Sequence, residues 1–489
     1  MKTLISLLVC GAALPAASVD SRLAEAEKKM DKAAVHALLE KRIDVNAPSS
    51  DGATALHWAA YWDDLETAQR LIREGANVNA ANRYGVRPLS LACTNGSAAM
   101  IELLLKAKAD PNAVLPDGET PLMSAARTGK VDAIKALLRN GADLKAKEAE
   151  RGQTALMWAA AEGNVAAVET LIEFGADTKE RSKGGFTPFL FAVREGKIEV
   201  VRALLKAGVD VNENLPTGGR RAGPTGATGP NALGLATANA HYELASALLD
   251  AGADPNYAGQ GWTALHTITW IRKPGAGSND PAPPGSGNMN SVEIVKRLVA
   301  DGANVNAKMT RRSNVGLSSL NTLGATPFLL AARTGDAELM RLLVQLGADP
   351  LMPNADKTTP LMVAAGVGTR SPGEDAGTEP EALEAVKVAL ELGNDLNAVD
   401  NYGETALHGA AYKHMPSVAQ FLIDNGAKVD IWNHKNKTGW TPLRIAEGVH
   451  RGMNLRSSPE TAAVLRKAMA AAGVSTEVEP EVNISGATK

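Results

Sequence analysis

The feature that most constrains the fold is a short phrase that recurs along the chain at a nearly constant spacing. The phrase reads Gly-x-Thr-Ala/Pro-Leu, and Gly-Ala-Asn or Gly-Ala-Asp follows it about twenty residues later. Its eleven copies, two of them degenerate, are anchored at positions 54, 87, 120, 154, 187, 231, 263, 326, 359, 405 and 441. Six of the ten spacings lie within one residue of 33, and the others are longer because of insertions. Such a period indicates small units that bury their apolar faces only by stacking on each other.

The residues of one unit predict two helices joined by a glycine turn. Thr120 is suited to cap the first helix, and Pro121 fits its first position because the N–H there needs no partner. Gly129 is expected to end this helix in the left-handed conformation. A second helix follows, with apolar residues spaced for one face between Ala133 and Leu138.

These motifs resemble the ankyrin repeat family, whose period is 33 residues and whose signature includes Thr-Pro-Leu-His-x-Ala. The resemblance covers roughly residues 20–475, and the chain is identified as an exported member of the family. It implies an all-α repeat solenoid of about twelve helix-turn-helix repeats with short β-turn fingers. It also implies that His57, His266 and His408, which share one signature position, brace the turn by hydrogen bonding between repeats.

The chain divides into four predicted parts. Residues 1–18 read as a signal peptide, 19–50 as an N-terminal capping repeat, 51–475 as the array, and 476–489 as a disordered tail. Four insertions interrupt the array, at 213–230, 272–290, 308–324 and 366–381. Their Gly and Pro content favours mobile tethers. The alternative is that four arginines on two of these insertions form a basic patch for an acidic partner: Arg220, Arg221, Arg311 and Arg312.

The N-terminus predicts export to the periplasm or the exterior. Lys2 precedes a short apolar run, and Ala16 and Ser18 supply the small residues that precede a cleavage site. A lipoprotein anchored through Cys10 and a cytoplasmic protein with a frayed N-terminal helix are the alternatives. No segment of the sequence carries the 18 uninterrupted apolar residues that a membrane-spanning helix needs.

Composition and motifs argue against several function classes. The net charge of −3, from 51 basic and 54 acidic residues, gives no bulk attraction to nucleic acid. The sequence contains no phosphate-binding Gly-rich loop, no Gly-x-Ser-x-Gly and no His-Glu-x-x-His. Cys93 has no evident base partner, and His408 and His414 are six residues apart, a poor spacing for a metal. We therefore expect a monomeric, non-enzymatic protein without a cofactor or metal.

The resemblance places the binding surface on the first helices and the finger tips, which line a concave groove in ankyrin arrays. The variable positions are those one, four and five residues after the signature His. Aromatic and Arg side chains, the types that dominate binding hot spots, are frequent there. The predicted partner-contacting residues are Trp58, Tyr61, Trp62, Arg127, Trp158, Glu162, Phe191, Arg194, Trp270, Arg333, Tyr412 and Lys413.

The leading hypothesis is therefore a scaffold that binds a protein partner through this groove. Packing between repeats is the competing explanation for Trp58, Trp62 and Trp158, because aromatic rings can fill the gaps between Ala-rich helices. A second hypothesis is an enzyme or small-molecule binder. Its site would lie beneath the insertions at 272–290 or 366–381 and would be lined by converging His and carboxylate side chains.

Export predicts that the mature protein lacks its first residues. N-terminal sequencing of protein purified from its native host should give a start at or near Val19, since the small residues before that position favour cleavage there. A mature chain that begins at Met1 would contradict export.

Overall fold

The structure is a computed structural model that describes residues 20–216, 228–275, 282–313, 318–451 and 454–477. The predicted signal peptide, Cys10, Arg220, Arg221 and most of the predicted tail therefore lie outside the described residues. The chain forms two compact units, one ending at Pro188 and the other beginning at Phe189.

The first unit is built from consecutive pairs of short helices, called here the first and the second helix of a repeat. Its described residues form α1 (Arg22–Lys28), α2 (Lys32–Glu40), α3 (Ala55–Tyr61), α4 (Leu65–Arg73), α5 (Pro88–Asn95), α6 (Ala98–Lys106), α7 (Pro121–Thr128), α8 (Val131–Arg139), α9 (Ala155–Glu162) and α10 (Val165–Glu173). Each first helix from α1 to α9 packs on the first helix of the next repeat, and the second helices from α4 to α10 do the same. The core lies between these two layers, where Ala59 and Ala60 are fully buried.

The second unit continues the same plan with longer connections. α11 (Pro188–Arg194) leads into it. The following elements are α12 (Ile198–Lys206), β1 (Asn214–Pro216), β2 (Thr228–Asn231), α13 (Ala232–Ala238), α14 (Tyr242–Asp250), α15 (Ala264–Arg272), α16 (Ser291–Ala300), α17 (Pro327–Arg333), α18 (Ala337–Gln345), α19 (Pro360–Ala365), α20 (Glu379–Glu391), α21 (Ala406–Lys413), α22 (Pro416–Asp424), α23 (Val429–Trp432), α24 (Pro442–Glu447), β3 (Val449–Arg451), β4 (Asn454–Arg456) and α25 (Pro459–Ala471).

The helices of the second unit also form two layers. The first helices α13, α15, α17, α19, α21 and α24 contact each other in that order, and α18, α20, α22 and α25 do so in the second layer. β1 pairs with β2 and β3 with β4, each as an antiparallel hairpin. Over the described ranges of both units, the helices other than α23 form twelve consecutive pairs. The prediction of an all-α array of about twelve repeats is confirmed.

The local signals act as the sequence predicts. The Thr120 hydroxyl accepts a hydrogen bond from the Met123 amide at 3.2 Å, so it satisfies an N–H that has no partner within the first turn. Pro121 occupies the first helical position. Gly129 ends α7 with φ +70°, a left-handed conformation that costs a residue with a Cβ more than it costs glycine. Each first helix of this kind is therefore delimited by its own sequence.

The signature histidines join adjacent repeats. His57 Nδ1 lies 2.9 Å from Thr54 Oγ1 within its own repeat, and Nε2 lies 3.0 Å from the Val86 carbonyl oxygen of the next. His266 repeats this arrangement, with Nε2 3.2 Å from the Ala325 oxygen. Burial lowers the pKa of His57, so the neutral imidazole that can both donate and accept is favoured. The predicted bracing role of these two histidines is confirmed.

An asparagine at the end of the repeat forms a second link between neighbours. The Asn112 amide donates to the Gly141 carbonyl at 2.9 Å and accepts from the Asp143 N–H at 2.7 Å. The same two-bond link recurs at Asn46, Asn79, Asn212, Asn256 and Asn306. Lys145 occupies this position in the following repeat and makes no such link. The asparagines thus connect backbones that secondary structure leaves unpaired.

The described parts of the four insertions are anchored to the repeats or to each other. Residues 214–216 and 228–231 form the arms of the β1–β2 hairpin. In the second insertion, Ser286 Oγ lies 2.8 Å from His241 Nδ1. In the third, the Ser319 N–H donates to the Gly368 carbonyl of the fourth at 2.8 Å. Within the fourth insertion, Thr378 and Glu381 form a capping box that starts α20 at Glu379.

No repeat motif in the sequence predicts two of the elements of the second unit. The short helix α23 replaces the usual turn at the end of a repeat and buries Trp432. The β3–β4 hairpin joins α24 to α25. Both lie where the chain departs from the 33-residue period, so the periodic pattern could not reveal them.

The asparagine link predicts a measurable contribution to stability. Asn112→Ala removes both bonds across its repeat boundary and should lower the free energy of unfolding by about 1 kcal/mol, the usual net value for an exposed hydrogen-bonded pair. Urea denaturation followed by circular dichroism measures the change. Lys145→Ala, at the same position of the next repeat, is the matched control and should be neutral within error. Equal effects of the two substitutions would refute the link.

Candidate functional site

Three of the predicted residues form an aromatic cluster at the C-terminal end of α3. The Tyr61 ring centroid lies 4.6 Å from that of Trp62 and 5.9 Å from that of Trp58, both in edge-to-face geometry. Tyr61 and Trp62 remain 45% and 40% exposed, whereas Trp58 is half-buried. The aromatic cluster (Trp58, Tyr61, Trp62) therefore combines a fixed ring arrangement with an accessible apolar surface.

A cation from the preceding repeat covers each of the two half-buried tryptophans. Lys28 Nζ lies 5.1 Å from the ring centroid of Trp58, and the Arg127 guanidinium lies 5.3 Å from that of Trp158. These distances are within the range of cation–π attraction. Arg127 is held additionally by Glu119, at 3.4 Å. Lys28 was absent from the predicted set because it contacts a ring of the next repeat, and its position within its own repeat gives no sign of that contact.

The indole nitrogens show that these two rings also serve packing. Nε1 of Trp58 and Nε1 of Trp158 are buried and make no hydrogen bond with the described residues. Each ring thus inserts its nitrogen edge between repeats and leaves part of its remaining surface accessible. Glu162, five positions after the signature residue of α9, is exposed. A role in partner binding stays a prediction for all of these residues.

The predicted residues on α11 and α15 are less accessible. Phe191 is only 3% exposed and belongs to the core, which corrects its prediction as a partner contact. Arg194 is half-buried, with its guanidinium 4.9 Å from the Phe191 ring. Trp270 is half-buried, and its ring centroid lies 6.0 Å from that of Trp262 in edge-to-face geometry. The Trp262 partner immediately precedes the Thr of its repeat signature and had not been predicted.

Arg333 and Lys413 meet an acidic side chain from the fourth insertion. Lys413 is 5% exposed, and its ammonium donates to the Ala376 carbonyl at 2.7 Å. Burial lowers the pKa of Lys413 to about 8, while the attraction of Asp375 opposes that shift. Burial raises the pKa of the Asp375 carboxyl, and the positive charge of Arg333 opposes this rise. The prediction that Lys413 contacts a partner is corrected: its side chain holds residues 375–376 against the first helices.

Tyr412 is likewise not on an open surface, being 4% exposed. Its hydroxyl donates to Glu404 Oε1 at 2.9 Å and accepts from Asn436 Nδ2 at 2.8 Å. This hydroxyl lies on the floor of a cavity of about 450 Å³ in the second unit. The prediction of Tyr412 as an exposed contact is therefore wrong, because the fourth insertion and the finger turns enclose its helix.

The cavity has walls from three finger turns and two insertions. The turns contribute Asp356 and Thr358, then Asp400, Tyr402 and Glu404, then Asn436, Lys437, Thr438 and Trp440. The insertions contribute Ser319, Leu320 and Asn321 on one side and Val367, Gly368 and Arg370 on the other. The Ser319–Gly368 hydrogen bond joins the two inserted walls. The cavity lies beside the fourth insertion, one of the two places that the second hypothesis named, but its lining contains carboxylates and no histidine.

The described residues offer no evident catalytic constellation. Over these ranges, no three His, Cys, Asp or Glu side chains cluster in a way that could hold a metal ion. Cys93 is fully buried, and burial raises the pKa of its thiol, which disfavours a reactive thiolate. No helix within the described ranges has the length and apolar character that crossing a bilayer requires.

The comparisons with known proteins agree with this architecture. A family model described as ankyrin repeats matches residues 23–115, 65–148, 122–214, 286–370 and 377–451, together well over half of the chain. The solved structure of the human ASB11 ankyrin repeat domain is 26% identical with a TM-score of 0.42, covering 48% of this chain and 99% of that one.

The curated relatives match only in part. Neurogenic locus notch homolog protein 1 of Xenopus tropicalis is 33% identical over 144 residues, covering 25% of this chain and 6% of that protein. The probable 26S proteasome regulatory subunit p28 of Saccharomyces cerevisiae is 37% identical over 99 residues, covering 20% and 36%. The E3 ubiquitin-protein ligase KEG of Arabidopsis thaliana is 28% identical over 152 residues, covering 30% and 8%. The chain thus spans well under half the length of these relatives.

The buried ammonium predicts how the fourth insertion is held. Lys413→Met removes the bond to the Ala376 carbonyl and the charge facing Asp375, so amide hydrogen exchange should rise across residues 369–378. Hydrogen-exchange mass spectrometry measures it, with the exposed Lys467→Met as control. Unchanged protection of residues 369–378 in a folded Lys413→Met protein would show that other contacts suffice.

Proposed function

Because this chain belongs to the ankyrin repeat family, we propose that it is a scaffold that captures a protein partner on the exposed faces of its first helices and adjoining turns. Stacked repeats form extended surfaces suited to protein binding.

The aromatic cluster of the first unit is the observation that carries this proposal. Tyr61 and Trp62 are among the few large apolar side chains that the described residues expose. Because the rings already pack against each other and on Trp58, little conformational entropy is lost when a partner covers them. Tyr and Trp in such settings dominate binding energies in protein interfaces.

Charged neighbours give the surface a polar border. Lys28 and Arg127 are exposed over the Trp58 and Trp158 rings, and Glu162 is exposed at the end of α9. A polar rim around an apolar centre is typical of protein interfaces. The finger turn before α5 adds Tyr84, 70% exposed next to Gly85. Sequence reasoning had considered finger tips as a class but had not singled out this tyrosine.

We also propose that the protein acts outside the cytoplasm, on the evidence of its first eighteen residues alone. Because a processed chain would retain only Cys93, no internal disulfide could stabilise it. Packing between repeats would then provide its stability, which suits a protein whose repeats are joined by hydrogen bonds and buried apolar contacts.

The scaffold proposal predicts the effect of removing the exposed rings. Once affinity purification from the native compartment has identified a partner, Tyr61→Ala combined with Trp62→Ala should weaken its binding by about thirtyfold or more, since hot-spot residues contribute at least ~2 kcal/mol. Biolayer interferometry on the purified proteins measures the dissociation constant.

The control is Phe174→Ala, because Phe174 is 41% exposed in the same unit but follows a second helix. It should leave the affinity unchanged. Circular dichroism would confirm that all variants fold. If the folded double variant binds as tightly as the parent, the aromatic cluster is not the contact surface.

A further inference from the structure

The cavity of the second unit has a volume within the range of small-molecule sites, which is roughly 300–1,000 Å³. It encloses about 450 Å³ between the finger turns before α19, α21 and α24 and the inserted residues 319–321 and 367–370. The third and fourth insertions are fixed to each other by Ser318, Ser319 and Gly368. Segments that lie outside the repeat pattern therefore build part of the cavity wall.

Four of the polar side chains that line the cavity already donate their hydrogen bonds within the protein. The Thr358 hydroxyl donates to Asp400 Oδ2 at 3.0 Å, and the Thr438 hydroxyl donates to Asn436 Oδ1 at 2.6 Å. The Asn436 amide and the Tyr412 hydroxyl, in turn, donate into the network that ends on Glu404.

Acceptor capacity, by contrast, remains. The Asp356 carboxylate lines the cavity, is half-buried, and accepts no hydrogen bond from the described part of the chain. Burial raises the pKa of the Asp400 carboxyl, and the charge of the nearby Asp356 adds to this rise. Glu404 adds a third carboxylate, which already accepts hydrogen bonds from Tyr412 and Asn436. An incoming group that brings donors and positive charge would pair with the Asp356 oxygens and relieve the mutual repulsion of the three carboxylates.

The aromatic walls favour the same kind of group. Tyr402, Tyr412 and Trp440 line the cavity together with the three carboxylates. At its mouth the chain's own Lys437 places its ammonium 4.9 Å from the Tyr402 ring centroid. Lys437 is exposed, so this ammonium is free to move away into water. Its position shows that an ammonium finds a favourable site at the edge of the cavity.

We propose that this cavity binds an organic cation, a small molecule carrying an amine or guanidinium group, between the aromatic rings and the Asp356 and Glu404 carboxylates. The cation displaces the Lys437 ammonium from the Tyr402 ring and donates its hydrogen bonds to the carboxylates. The two positively charged side chains of the lining, Arg370 and Lys437, are both exposed, so they border the entrance and leave the carboxylates to determine the charge of the interior.

The proposal does not depend on capture of a protein partner, since the cavity lies in the second unit and the aromatic cluster in the first. It is tested by isothermal titration calorimetry of the full chain against four probes: agmatine, putrescine, glucose and succinate. Binding of agmatine or putrescine is expected, without heat from glucose or succinate. Affinity should fall as salt is raised, because salt screens partly exposed charges.

Variants with opposite expected effects sharpen the test. Asp356→Asn combined with Glu404→Gln keeps the shape of the side chains and should weaken cation binding about tenfold or more, the value of one charge-assisted hydrogen bond. Lys437→Ala should tighten binding severalfold because it removes the competing ammonium. Asp430→Asn and Lys428→Ala change the same charges at exposed positions outside the cavity lining and should change the affinity less than twofold.

Three outcomes would overturn the proposal. Absence of heat with both cations would show that the cavity does not take this class of ligand. Binding of glucose in place of the cations would assign it to neutral polyols. Equal effects of Lys437→Ala and Lys428→Ala would indicate general electrostatic attraction to the protein surface.

Discussion

Contact between consecutive repeats is the constraint on which everything else in this molecule depends. Its helices are mostly seven to nine residues long, too short to be stable alone in water. They persist because, within each unit, first helices pack on neighbouring first helices and most second helices pack on neighbouring second helices. The His57 imidazole and the Asn112 amide add hydrogen bonds that cross the boundary to backbone groups of the following repeat. Surface and cavity alike are consequences of this stacking.

The periodic part of the fold could be predicted because residues within each repeat mark where its first helix begins and ends. Thr120, Pro121 and Gly129 define a helix through contacts made within a few residues, and such contacts are visible in a sequence. The link formed by Asn112 was overlooked, although an Asn that recurs two residues after the Asn or Asp of the Gly-Ala-Asn/Asp phrase was its signal.

The insertions could be located but not folded from the sequence. Their composition resembles that of mobile linkers, and the expectation of tethers rested on this resemblance. Yet Ser319 bonds to Gly368, and the Arg456 guanidinium donates to the Pro372 carbonyl from 84 residues away. Contacts between two aperiodic segments leave no pattern in either one. The β3–β4 hairpin and the third and fourth insertions thus interact on grounds that only the structure reveals.

The fourth insertion also explains why residues at equivalent positions of two repeats, all predicted to bind a partner, differ in their exposure. Tyr61 and Tyr412 occupy the same place after the signature His, as do Trp62 and Lys413. The first member of each pair is at least 40% exposed and the second at most 5%. No insertion interrupts the repeats around α3, whereas residues 375–376 reach the Lys413 ammonium on α21. Exposure therefore depends on the neighbouring repeat as much as on the residue's own position.

Charged groups hold the fourth insertion in place. A buried ion pair adds little net stability, because desolvation offsets the attraction, but displacing one partner leaves the other buried and uncompensated. The Asp375 carboxylate attracts both Arg333 and Lys413, so a displacement of the loop would leave these two cations without their counter-charge. The residues it holds in place continue directly from Val367, Gly368 and Arg370, which form one wall of the cavity. The bond from the Lys413 ammonium to the Ala376 carbonyl thus anchors the segment that continues this wall of the cavity, which the Asp356 and Glu404 carboxylates also line.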